Sequence, residues 1–171
     1  MRESNHSDRY WEILQVNIEW LRFSETKATL ILTVFSIILT LVYTNAQSVF
    51  ESVQKSSLIL GLVFFYGLIS LISISLAFWC INPVLKNKNP NSIIYFGHIS
   101  KKFRNEAQYK EFAQTILDNE DAFHDQITSQ IYSISKIAWK KYTFVTWSLR
   151  FFIGSIATML IILFTYLIQN L

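Results

Sequence analysis

Three stretches without a charged residue constrain this 171-residue chain more than any other feature: residues 28–50, 56–85 and 151–171. A helix rises about 1.5 Å per residue and a bilayer core is about 30 Å thick, so about 20 apolar residues make one crossing. All three stretches reach that length. They predict membrane helices at 28–48, 57–81 and 151–171, and so an all-α integral membrane protein with three transmembrane helices. Charged residues are 16% of the chain, against about 25% in soluble domains, which agrees. The first stretch begins too late and is too long for the apolar core of a cleaved signal, and no small-residue cleavage site follows it. It is expected to be retained.

Lys and Arg resist translocation, so their distribution sets the orientation. Residues 1–27 hold Arg2, Arg9, Arg22 and Lys27, the first connector holds only Lys55, and 82–150 holds the other ten of the fifteen. The amino terminus is therefore expected inside, the short connector 49–56 outside and the carboxyl terminus outside. On this reading residues 1–27 and 82–150 lie in the cytoplasm.

Those two cytoplasmic segments read as helical. Trp11, Leu14, Ile18 and Leu21 recur at helical spacing, and no Pro or Gly interrupts the chain from Asp8 to Tyr43, which predicts an amphipathic helix running directly into the first span. Asn82-Pro83 and Asn89-Pro90 are turn signals. Beyond them, Asn91 or Ser92 is suited to cap a short helix from about Ile93, and a further helix is expected over 106–117, with Tyr109, Phe112, Ala113 and Ile116 on one face. The last helix begins near Asn119 with Glu120 and Asp121 at its positive end. Its stripe of Phe123, Ile127, Ile131, Ile134 and Ala138 leads towards the third span. About 95 cytoplasmic residues supply little core for one chain, so a homo-oligomer is expected.

Catalysis is not expected. The chain has no P-loop, dinucleotide fingerprint, HExxH, GxSxG or paired zinc cysteines, and no cofactor or nucleic-acid partner is indicated. His6, His98 and His124 are far apart in sequence, which argues against a metal site, and Glu120, Asp121 and Asp125 read as helix-start carboxylates. The single Cys80 is expected to pack as a small apolar residue.

Two other features are more informative. Thr29, Thr33, Ser36, Thr40 and Thr44 follow at intervals of 4, 3, 4 and 4 and share one face of the first span. That face suits either helix packing or the lining of a wet path. Small residues recur in the other spans, at Gly67, Ser70, Ser73 and Ala77 and at Gly154 and Thr158, and permit close helix approach. The second feature is the segment 91–104, which mixes Tyr95 and Phe96 with Gly97, His98, Lys101, Lys102 and Arg104. A nucleotide needs cations or amides for phosphate, a flat ring for its base and a place of close backbone approach, and this segment offers all three. The same cations also suit anionic lipid headgroups or plain solvation.

Asn89-Pro90 leading into Ile94-Tyr95-Phe96-Gly97-His98-Ile99 resembles the central motif of the bacterial Pycsar transmembrane effectors. Glu25-Thr26-Lys27-Ala28 is similar to that family's acidic-x-Lys-Ala signature, and Gln130-Ile131-Tyr132 through Lys141-Tyr142 resembles its helix before the last span. The resemblance runs from about Trp11 to Leu171. It departs at Val84, where a basic residue would follow the proline, and at Glu25, where Asp would stand.

The resemblance implies antiphage defence: a partner cyclase makes cyclic CMP or cyclic UMP on infection, and the effector impairs the inner membrane. The nucleotide is then expected to dock near Tyr95 to Lys102 and Lys27, with Tyr95 or Phe96 stacking on the base, Lys101, Lys102 or Lys27 meeting the phosphate, and His98 supplying a directional hydrogen bond. Read without it, the chain also suits a constitutive small oligomeric channel, or a noncatalytic membrane anchor that recruits another protein through the Trp11–Leu21 face.

Overall fold

The computed structural model describes residues 4–84 and 92–169. Among them every regular element is a helix: α1 Ser4–Thr44, α2 Ala46–Lys55, α3 Ser57–Ile81, α4 Phe96–Lys102, α5 Glu106–Leu117 and α6 Glu120–Gln169. Three of these, α1, α3 and α6, contain stretches long and apolar enough to cross a membrane. The all-α reading with three candidate spans therefore holds. No proline interrupts either α1 or α6, and α1 reaches 41 residues and α6 50, about 60 Å and 75 Å at the usual rise.

The chain divides into two compact units, one of residues 1–22 and 83–140 and one of residues 23–82 and 141–171. In the second, the span unit, α1, α3 and α6 close around Ala28, Ile31, Phe35, Ala77, Cys80 and Val145, with Leu32, Ile74, Phe144 and Phe152 packed against them. Ala28, Ala77 and Cys80 are fully buried. Small side chains at these points let helix backbones approach, which is what joins helices where lipid already satisfies apolar surface. Phe35 meets Phe152 edge-on at 5.3 Å. The connector expected as a short link contains a helix, α2, bounded by Asn45 and by Ser56 in extended conformation.

In the first unit, the start of α1 lies along the start of α6. Trp11 faces Phe123 at 6.5 Å, Tyr10 faces His124 at 5.4 Å, and Ser135 donates to Asn17 at 2.8 Å. Leu14, Ile127 and Ala138 of the expected stripes are buried. Helix α5 spans the residues expected, because Asn105 accepts from the Gln108 amide at 2.9 Å and opens it. The Asn119 carboxamide accepts from the Ala122 amide at 3.1 Å and does the same for α6.

Candidate functional site

The segment singled out for ligand chemistry does not continue as helix from Ile93. Ser92 is buried, and its hydroxyl accepts from the amides of Ile94 and Tyr95 at 3.2 and 3.1 Å. This bends the chain into a turn and delays α4 to Phe96. The Ser92 amide in turn donates to Nδ1 of His98 at 3.1 Å, and the Tyr109 hydroxyl donates to the Ile93 carbonyl at 3.0 Å, tying the turn to α5. His98 is thus committed through Nδ1. An imidazole accepting there is neutral and carries its proton on Nε2, which remains a directional donor. Burial, then the nearby Lys102 ammonium, hold its pKa below the ordinary 6.5.

Gly97 is explained by close approach. A Cβ on it would lie 2.7 Å from Cε1 of Tyr95 and 3.0 Å from Cζ. The Tyr95 ring therefore folds over Gly97, 5.0 Å from the His98 ring and edge-on to it, and 4.9 Å from Phe96. Phe96 is left 65% exposed. Of the two aromatics proposed to stack on a base, Tyr95 packs within the turn and Phe96 presents an open face. Lys101 and Lys102 end α4, where cations are favoured by the helix dipole. Phe103 then anchors the chain on Tyr109 and Phe112 at 5.4 and 5.5 Å. Asn89, Pro90 and Asn91 lie outside the described residues.

Lys27 belongs to the span unit. Its ammonium lies 4.2 Å from the Phe23 ring centre and 5.5 Å from that of Tyr142, a cation over aromatic faces. The hydroxyl row stands on the exposed side of α1. Thr29, Thr33, Ser36, Thr40 and Thr44 donate to carbonyls of Glu25, Thr29, Leu32, Ser36 and Leu41 at 2.9–3.0 Å. Their donors are satisfied within the helix, and the oxygens face outwards as acceptors.

Sequence reasoning missed two polar contacts inside the span unit. Lys141 bonds Glu25 at 2.5 Å and approaches the Ile81 carbonyl at 3.5 Å, so one ammonium joins α1, the end of α3 and α6. Ser73 and Ser148 donate to each other's carbonyls at 2.8 Å, clamping α3 to α6. The available signal was the spacing Lys141, Val145, Ser148, Phe152, Ser155, a 4-3-4-3 repeat that puts Lys and Ser on a packing face. Of the small-residue face of α3, Ser70, Ser73 and Ala77 are buried. Gly67 opens on empty space, whereas a Cβ on Gly154 would meet Ile69 at 3.9 Å.

No curated protein and no solved structure matches the chain significantly. A family model described as the Pycsar effector protein domain matches residues 9–168, nearly the whole chain, spanning the turn at Ser92–His98 and all three candidate spans. With its three apolar helices, the chain is a multi-pass membrane protein that belongs to the Pycsar effector family, which acts in the Pycsar antiphage system.

Proposed function

We propose that this chain is a noncatalytic, ligand-gated effector of the inner membrane, with the first unit in the cytoplasm and the carboxyl terminus outside. Cyclic CMP or cyclic UMP from a partner cyclase binds at α4, and the response impairs the membrane and halts the infected cell. The observation that carries this reading is the exposed Phe96 ring on a turn fixed by Ser92, Gly97 and His98, followed by Lys101 and Lys102. A pyrimidine stacks on Phe96, the cyclic phosphate meets Lys101 and Lys102, and the Nε2 proton of His98 points a hydrogen bond. Lys27, engaged with Phe23 and Tyr142, is left out of the phosphate contact. Homo-oligomers would set nucleotide affinity against two arrangements of the helices, and the difference in affinity would set the size of the shift.

The test is membrane potential and dye entry in bacteria expressing the chain with a cyclase for cyclic CMP, cyclic UMP or cyclic AMP. Depolarisation restricted to a cyclic pyrimidine nucleotide, and lost in the Lys101→Ala, Lys102→Ala double variant and in Phe96→Ala, is the expected result. Leakage without any nucleotide would favour a constitutive channel, the reading to which the outward hydroxyl row of α1 lends itself. No leakage with any nucleotide would favour an anchor that recruits another protein.

A further inference from the structure

Arg150 ends the charged part of the sequence and, by sequence alone, marks the edge of the third span. Packing in the span unit puts it elsewhere. Lys141 is level with Glu25 and Ile81, Ser148 is level with Ser73, and Phe152 is level with Phe35. Arg150 lies between the last two levels, about 13 Å along α6 from Lys141. At that height both neighbouring helices are within charge-free stretches, 28–50 and 56–85.

Arg150 is exposed on the surface of the unit, while Val145, Ser148 and Ser155 of the same helix are buried. Glu25 is engaged by Lys141, and α6 carries no carboxylate after Asp125. A second copy packed alongside in the same direction supplies no carboxylate at that depth either. The guanidinium instead lies 4.7 Å from the Trp147 ring centre, folded back one turn towards the Lys141 end. Trp147 is itself exposed, as is Trp79 of α3, which lies 5.9 Å from Phe144. Exposed indoles beside a cation reaching back along its helix are the arrangement by which a side chain rooted in hydrocarbon places its charge among headgroups.

We propose that Arg150 and Trp147 form a binding site for the phosphate of an anionic phospholipid in the leaflet on the Lys141 side. The third span then begins near Phe144, and about 20 residues from there complete a crossing. Two guanidinium N–H groups grip two phosphate oxygens, while the indole face supports the guanidinium plane; a lysine offers no such fork. The site rests on membrane placement and not on nucleotide gating, so it stands or falls separately from the proposed function.

The test begins with the chain purified in mild detergent and titrated with phosphatidylglycerol or phosphatidylcholine, the bound lipids being counted by native mass spectrometry. Arg150→Gln is expected to weaken the tightest phosphatidylglycerol at least tenfold with phosphatidylcholine unchanged, and Arg150→Lys to recover only part. Protection of the buried Cys80 thiol confirms that each variant is folded. Unchanged phosphatidylglycerol binding in Arg150→Gln overturns the proposal. A second arm places a cysteine by Arg150→Cys in a Cys80→Ala background, in phosphatidylcholine–phosphatidylglycerol vesicles. A charged thiol reagent that modifies Lys140→Cys but leaves position 150 untouched supports the lipid site. Modification at 150 overturns it in favour of a water-lined path.

Discussion

Glu25 and Lys141 share one ion pair unequally, the lysine side chain being 4% exposed and the glutamate 39%. Removing the carboxylate strands a buried ammonium with only the Ile81 carbonyl nearby, whereas removing the lysine leaves a carboxylate that water reaches. Breaking a buried pair from one side costs about 3–5 kcal/mol. Glu25→Gln is therefore expected to cost about 3 kcal/mol and Lys141→Met clearly less, read as the denaturant at which the Cys80 thiol becomes reactive in detergent. Equal losses would mean that the buried ammonium is not the costly partner. His98 makes a pH-dependent case in the first unit. Its folded pKa lies below 6.5 through burial and Lys102. Above that pH the imidazole is neutral folded or unfolded. As pH falls below it, the unfolded chain takes up a proton that the folded site refuses, so stability drops until the folded pKa is passed. A protonated Nδ1 also cannot accept from Ser92. Exchange of the Ser92 amide is expected to show less protection on going from pH 7.5 to 5.5, after correction for intrinsic rates, and His98→Gln should flatten the change. Little of this was legible in the sequence. The Tyr-Phe-Gly-His run marked the place, but the fold of Tyr95 over Gly97 depends on a Ser92 turn that side-chain periodicity does not encode.

Helices α1, α5 and α6 were readable because their signals are local: a period of 3.6, cap residues at Asn105 and Asn119, and no Pro inside. Helix α4 starts later than Ser92 as a simple cap would give, since the hydroxyl serves two amides of a turn instead of a first helical turn. The connector helix α2 was missed because only length and charge were read there. An unbroken α1 also makes a demand. If a response travels along it, a proline at the boundary between the units should interrupt that travel, since proline removes a backbone bond and clashes with the preceding turn at a cost of about 3 kcal/mol. Arg22→Pro is expected to leave the chain in the membrane and able to bind a cyclic pyrimidine nucleotide, while nucleotide-dependent dye entry falls at least tenfold. Full dye entry in that variant would show that signal does not depend on the continuity of α1.

At the scale of the whole molecule, the decisive asymmetry is that fourteen of the fifteen Lys and Arg residues lie in 1–27 and 82–150. The connector α2 contributes only Lys55. A retained cation near a span favours the cytoplasmic side, and the bias is decided by Lys and Arg near the span ends rather than by net charge. The expected topology has the first unit inside and α2 outside. It is checked with paired reporters: a fluorescent protein on the amino terminus should fluoresce, and alkaline phosphatase fused after Leu171 or within α2 should be active. Adding four lysines to α2 while replacing Arg22 and Lys27 with Gln should reduce phosphatase activity at α2, because the charge bias then reverses around the first span. Inactive phosphatase after Leu171 in the unaltered chain, with activity at position 88 instead, would put Ser92–Lys102 outside. A messenger made in the cytoplasm would never meet Phe96 there, and nucleotide gating at α4 would be ruled out by topology alone.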